Sequence, residues 1–266
     1  MGKPSTKRLQ LTTLGQFTIR LDGKPVKGLA SRKAEALLLY LACTKQVHAR
    51  EHLATLLWDD RPLGRSLGNL SVIVNSLKKQ LDAFLDIERS SIALKAGDRI
   101  WMDVNEVRSA LDRLRTAEEA RRRNPPSHYK AIEQTLLLHH GPFLQGFHIR
   151  EACGFNEWVS LERERIQRQV LESWRLLHEA YSGSGELEAS YRCLRNAIEI
   201  DPLHEGFHRK LMRGLALSGR FEEAISQYRA CANVLDTELK VEPSLETRRL
   251  YDRILDRRER PHDNLP

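Results

Sequence analysis

The stretch Arg65–Phe84, RSLGNLSVIVNSLKKQLDAF, decides how this chain is read. As a helix it places Leu70, Val74, Leu77 and Leu81 on one apolar stripe. Helical turning puts Arg65, Val72, Asn75, Ser76 and Lys79 on the opposite side. That side holds cations and amides, and no carboxylate occurs before Asp82. Pro62 and Gly64 turn the chain sharply into the helix. A helix anchored by one stripe, with cationic and amide groups outside, meets the requirements of a DNA major groove. An ordinary surface helix with a solvated polar face fits the same pattern, so the surroundings have to choose.

The surroundings are basic. Residues 1–105 carry 17 Lys+Arg against 10 Asp+Glu, and residues 106–266 carry 26 of each. All of the +7 net charge therefore lies in the segment that holds this helix. A polyanionic partner follows for that segment, with nucleic acid the leading candidate and a basic surface kept for solubility the alternative. Hydrophobic content of 41% with 30% charged residues fits a soluble, mostly helical protein, and low Gly and Pro argue against an all-β fold. No apolar run reaches membrane-spanning length, and Met1–Gln10 lacks the apolar core of a signal peptide. Cys43, Cys153, Cys193 and Cys231 show no paired spacing and read as reduced, buried thiols of a cytosolic protein.

Along the chain, Leu9–Leu14 and Phe17–Leu21 read as short strands, with Asp22-Gly23 turning back toward Pro25-Val26. Ser31 caps a helix through Leu41, and a second helix spans Arg50–Trp58. After the Arg65 helix, Ile92–Leu94 and Ile100–Met102 are expected to form a closing hairpin around Ala96-Gly97-Asp98-Arg99. Strands, three helices and a hairpin make a winged helix-turn-helix, with Lys95 and Arg99 at the wing tip.

From Asp103 onward helix follows helix. Asp103 is placed to cap Glu106–Ala120, and Arg121-Arg122-Arg123-Asn124-Pro125-Pro126 ends that helix with its cations beside the last carbonyls. Trp174, Leu177, Tyr181, Gly185, Leu187, Ser190, Leu194, Ala197 and Pro202 fall at the offsets of a tetratricopeptide motif. Thirty-four residues on, Gly219, Phe221, Ala224, Tyr228 and Cys231 repeat five of those positions. Helices at Phe155–Gln169 and Leu245–Leu255 would cover the ends of the stack, which is a binding scaffold without catalytic apparatus of its own.

One stretch imitates an enzyme. His204-Glu205-Gly206-Phe207-His208 satisfies the H-E-x-x-H pattern of zinc metallopeptidases. It also opens the first helix of the second repeat, where His208 takes the position of Trp174, Gly206 weakens the helix and no third ligand follows. The reading is therefore packing, with no catalytic residue, no metal and no cofactor. Phosphate-cradling glycine loops, nucleophile elbows and paired-cysteine metal sites are missing from the sequence. Trp58, Trp101, Trp158 and Trp174 read as core.

These features resemble the SARP-type bacterial transcriptional activators, which join an OmpR-like winged helix to a tetratricopeptide-like bacterial transcriptional activator domain. The matching segments include Ser31–Leu38, Arg50–Leu53, Leu56-Leu57-Trp58, Asn69-Leu70, Trp101–Val104, Gly141–Leu144, Glu157-Trp158, Leu161–Arg165, Asp201-Pro202-Leu203 and Leu239–Arg248 with Leu250-Tyr251. Three departures lie on the DNA-facing part. Ala49 stands where such families place Ser or Thr, Leu67 and Ser76 where Arg is common, and Lys78-Lys79 where arginines are frequent.

The expected fold is mainly α with small β hairpins: a winged helix over residues 1–105, a helical repeat domain over 106–257 and a tail over 258–266. The expected function is a non-enzymatic, cytoplasmic bacterial regulator that binds double-stranded DNA. Arg65, Asn69, Asn75, Ser76, Lys78 and Lys79 would face the DNA, with Lys95 and Arg99 on the wing and Arg32 and Lys33 near phosphate. The resemblance implies that the helical domain contacts RNA polymerase or another protein, and that two copies bind tandem sites as a dimer; the lack of a membrane-spanning apolar run leaves no membrane partner expected. The alternative is a tetratricopeptide-type protein scaffold whose winged helix has lost DNA contact, a role that an outward Val72 would equally suit.

Overall fold

The computed structural model describes residues 7–29, 31–95, 97, 99–119 and 126–259. The triple arginine 121–123 and the end of the tail fall outside them. Two compact units result, one of Met1–Val107 with Leu138–Gln167 and the other of Arg108–Leu137 with Arg168–Pro266.

The first unit begins with β1 (Leu9–Thr12), β2 (Thr18–Leu21) and β3 (Lys24–Pro25), an antiparallel meander. Leu9 and Leu11 point into the core from β1, the period-two pattern of a sheet with one covered face. Asp22 and Gly23 both take positive φ, 51° and 77°, the backbone of a two-residue hairpin turn. Then come α1 (Arg32–Thr44), β4 (His48–Ala49), α2 (Arg50–Leu57) and α3 (Leu63–Leu81), followed by a single 3₁₀ turn, Asp82–Phe84. Ser31 occupies the cap position of α1 without a side-chain cap bond, and Ala49 does the same for α2.

The closing hairpin expected from Ile92–Leu94 and Ile100–Met102 does not form. β5 (Leu85–Ile87) pairs with β6 (Ser91–Leu94), and β6 pairs with β4 in a small sheet of its own. β7 (Ile100–Met102) instead runs parallel to β1 in the first sheet, Leu9 opposite Ile100 and Leu11 opposite Met102. Burial drives this choice, because Met102 and Leu11 share the core under that sheet.

Asp103 opens α4 (Asp103–Glu119), and its buried carboxylate accepts from the Thr13 amide at 2.7 and 2.9 Å, the Leu14 amide at 2.9 Å and the Val104 amide at 2.8 Å. One side chain thus caps the helix and pins the end of β1. The segment Leu138–Gln167 belongs to this unit, although the sequence suggests a single break near residue 105. Its aromatic residues explain why. Phe143, Phe147, Phe155 and Trp158 form a chain of edge and tilted ring contacts that reaches Phe17 and Tyr40.

The second unit is helical, comprising the later part of α4, α5 (Pro126–Leu136), the later part of α6 (Cys153–Gly183), α7 (Leu187–Ile200), α8 (Glu205–Leu217), α9 (Phe221–Leu239) and α10 (Leu245–Glu259). The helix expected over Phe155–Gln169 runs on without a break through Trp174 to Gly183 as α6. The repeat is visible in the backbone. Gly185 and Gly219 take φ of 80° and 75° in equivalent turns, and Ser190, Ala197, Ala224 and Cys231 are all buried where helices meet. Leu187 departs from this pattern, lying 46% exposed at the start of α7. Cys193 and Cys231 are buried as expected, whereas Cys43 is half-buried and Cys153 is exposed.

Candidate nucleic-acid interface

α3 buries Ser66, Leu70, Ile73, Val74, Leu77 and Leu81, the expected stripe with Ile73 and Ser66 added. The Ser66 hydroxyl donates to the Trp58 and Pro62 carbonyls, each at 3.3 Å, fixing the start of the helix. On the other face Arg65, Val72, Asn75, Lys78 and Lys79 are exposed, and Asn69 and Ser76 are half-buried at its margins. Val72 is 63% exposed at the centre of this face. No Asp or Glu lies between Leu63 and Leu81, so the face carries positive charge and amide groups alone.

The geometry around α3 is held by Arg50, which the sequence reading did not single out. Its amide donates to the Ser90 carbonyl at 2.9 Å, and its guanidinium donates to the Ser71 hydroxyl at 3.1 Å. The first residue of α2 thereby joins the β5–β6 turn to the middle of α3. That turn is the wing. The Glu88 amide donates to the Ser91 carbonyl at 3.0 Å, closing a tight loop that carries exposed Arg89 at its tip.

Lys95 and Arg99 are not at a wing tip. Lys95 donates through Nζ to the Asp82 carbonyl at 3.3 Å, and Arg99 donates to the Ala83 carbonyl at 3.2 Å while lying 5.5 Å from the Phe84 ring centre. Both cations meet carbonyls of the turn that ends α3, where the helix dipole favours positive charge. Gly97 drew the expected turn to the wrong place. The usable signal was the Glu-Arg-Ser-Ser run between the short apolar stretches Leu85–Ile87 and Ser91–Leu94.

Arg32 and Lys33 lie at the start of α1. Arg32 sits 5.2 Å from the Phe147 ring centre and reaches the His148 carbonyl at 3.5 Å. Lys33 donates to the Glu151 carbonyl at 3.1 Å and lies 4.8 Å from the Trp58 ring. Burial, then the neighbouring Arg61 charge, pulls the Lys33 ammonium below its ordinary value.

In the second unit His208 of the H-E-x-x-H stretch is absorbed by packing, whereas Glu205 is half-buried and His204 is exposed at the start of α8. His208 is buried, its Nε2 donating to the Pro202 carbonyl at 3.0 Å and its Nδ1 accepting from the Gln227 amide at 2.7 Å. With both ring nitrogens engaged, no lone pair is left for a metal. Glu205 accepts from the Ser244 amide at 3.0 Å and from the Ser244 hydroxyl at 2.7 Å, and also from Thr247, which ties α8 to the start of α10. Among the described residues no group of three or more His, Cys, Asp or Glu could hold a metal ion, and no helix is long and apolar enough to cross a membrane.

Comparison with known proteins agrees with this architecture. Residues 102–255 match the bacterial transcriptional activator domain, BTAD. Over 263 residues the chain is 24% identical to the transcriptional regulatory protein MoaR1 of Mycobacterium tuberculosis (strain ATCC 25618 / H37Rv), covering 97% of this chain and 82% of that protein. MoaR1 of Mycobacterium bovis (strain BCG / Pasteur 1173P2) gives the same identity and coverage. Among solved structures, Mycobacterium tuberculosis EmbR in complex with a low affinity phosphopeptide is similar with a TM-score of 0.67 at 22% identity. That likeness covers 94% of this chain and 66% of EmbR, and at such identity it concerns the fold alone.

Proposed function

Because this chain belongs to the bacterial transcriptional activator domain family, we propose that it regulates transcription by laying α3 in the major groove of promoter DNA. Asn75 is the residue for adenine, whose edge an amide can pair bidentately, and the exposed Val72 suits a thymine methyl. Arg65, Lys78 and Lys79 supply charge along the same face, Ser76 and Asn69 border it, and Arg89 on the wing approaches the neighbouring backbone. The single observation that carries this reading is the carboxylate-free outward face of α3, held in place through Arg50.

In this reading the winged helix is the DNA-binding domain, and the helical stack recruits RNA polymerase or another protein, with dimerisation on tandem sites. Such work belongs in the bacterial cytoplasm. The protein-scaffold alternative keeps one observation in its favour, since Val72 would serve a protein partner as well as a thymine. A fluorescence titration of the whole chain against labelled duplexes at low and moderate salt decides between them. Binding that weakens steeply with salt supports the regulator, and no binding at either salt supports the scaffold.

A further inference from the structure

The loop from Phe147 to Glu151 alternates in burial. Phe147 and Ile149 are buried, while His148 and Arg150 are exposed. Asn156 locks this arrangement, accepting from the Ile149 amide at 3.1 Å and donating to the Ile149 carbonyl at 2.7 Å. Asp59, in the loop before α3, accepts from the Gly154 amide at 3.0 Å, and Arg61 pairs with Glu151 at 3.1 Å. The loop is therefore fixed against the winged helix, with two basic side chains facing outward.

Between them lies an open cleft of about 770 Å³. Arg32, Lys33, Arg61 and Arg150 line it together with His148, and no carboxylate does. Its remaining wall includes Asn69 and Val72 of α3, so it runs directly into the face assigned above to DNA. The first residues of α1 also open on it, adding the positive end of a helix. Burial and the Arg61 charge pull the Lys33 ammonium down, while Asp60, Glu151 and Asp59 behind the rim offset part of that effect, and Arg61 is paired with Glu151 and Asp60.

We propose that this cleft grips the sugar–phosphate backbone flanking the major groove, with Arg150 and His148 contributing from a segment outside the winged helix. The inference rests on α3 being the DNA-reading helix. A duplex seated on α3 brings its flanking phosphates along the Asn69–Val72 wall, where bidentate arginines are the preferred partners. A specific ligand pocket would enclose its guest, whereas this cleft is open along the helix face, as a continuous strand requires.

The test is a titration of the full chain with a labelled mixed-sequence duplex over a series of salt concentrations, using wild type, Arg150→Ala, Arg150→Lys and Lys79→Ala. We expect Arg150→Ala to lower the slope of log affinity against log salt by about 0.9, the value of one phosphate contact, as Lys79→Ala should also do. Arg150→Lys should keep the slope and lose part of the affinity. Arg150 is exposed, so the variant fold is checked simply by circular dichroism. If Lys79→Ala weakens binding and Arg150→Ala changes neither slope nor affinity, the cleft proposal is overturned while the α3 reading stands. If no variant and no wild type binds DNA, both fall. Competition by a polyglutamate peptide that Arg150→Ala relieves, with duplex binding untouched, would overturn the proposal in favour of an acidic protein partner.

Discussion

The Arg50 guanidinium donates to the Ser71 hydroxyl at 3.1 Å, so the first residue of α2 grips the middle of α3. Ser71 in turn donates to the Leu67 carbonyl at 3.0 Å, one turn earlier in its own helix. A hydrogen bond from a charged donor contributes about 1.5–3 kcal/mol when well shielded, and a half-buried one sits at or below the low end. Arg50→Ala is expected to cost about 1 kcal/mol in urea denaturation. The loss of DNA affinity should be larger than the loss of stability, because the wing turn is joined to Arg50 through the Ser90 carbonyl. A double-mutant cycle with Ser71→Ala checks the coupling, and additive effects would show that the two side chains do not cooperate.

The corrected wing makes a sharper prediction about four cations. Lys79→Ala and Arg89→Ala should each flatten the salt dependence of duplex binding by about 0.9. Lys95→Ala should leave that slope unchanged and lower stability by about 0.3–1 kcal/mol, since Lys95 serves the carbonyl end of α3. Arg99→Ala should behave like Lys95→Ala, for the same reason at the Ala83 carbonyl. The measurement is a salt titration of each variant beside its thermal melt. A slope change for Lys95 equal to that of Arg89 would return the wing tip to the Gly97 turn.

Gly214 offers a test of the helical stack in which two effects oppose each other. Alanine in the middle of α8 would ordinarily add about 1 kcal/mol of helix propensity. A Cβ at Gly214 would stand only 2.6 Å from a ring carbon of Tyr191. That ring is buried, and its hydroxyl is held by the Gly214 carbonyl and Ser218, each at 2.7 Å, so it has little freedom to retreat. Overpacking of this sort costs about 1–3 kcal/mol. Gly214→Ala is therefore expected to be destabilising on balance, lowering the melting temperature by a few degrees, about 2–4 °C. An increase would mean that α7 and α8 separate more easily than their contacts suggest.

Much of this was readable from residues alone, and the failures share a cause. The stripe of α3 and the repeat spacing of Gly185 and Gly219 are local patterns, set by periodicity and turn chemistry that neighbouring sequence carries. The partner of β7 is not local. Ile100–Met102 follows β6 in sequence, yet it joins β1 because Leu9 and Leu11 offer it a buried face some ninety residues earlier. Arg50 was missed because its role depends on Ser71 and Ser90, brought near only by folding. The place of Lys95 and Arg99 is not legible locally, because a basic turn beside glycine reads the same whether it tips a wing or closes a helix end. The placement of Leu138–Gln167 in the first unit depends likewise on ring contacts between distant aromatics, which composition does not announce.

Acid should weaken this protein, and two buried and two half-buried histidines say where. Burial, and then the charge of nearby His52, lowers the His48 value below its ordinary level of about 6.5. Burial is also the largest effect on His139, His178 and His208, all shifted the same way. For His208, burial is the cause that prevails over its hydrogen bonds to Pro202 and Gln227. The unfolded chain protonates these rings at the ordinary value while the native state does not, so the unfolded state binds more protons as the pH falls. Their contribution to stability is present above about pH 6.5 and is lost as pH drops through that value toward the lowered native ones. Urea midpoints should therefore be level above neutrality and fall on acidification well before the carboxylates titrate. Glu172, Glu179 and Glu205, held below the usual carboxylate range, add a second loss only at more acid pH. His208→Gln, whose amide can meet Pro202 and Gln227 without charging, should reduce the first drop and leave the second. A midpoint that rises on mild acidification would show these histidines to be charged partners in the native state rather than neutral core.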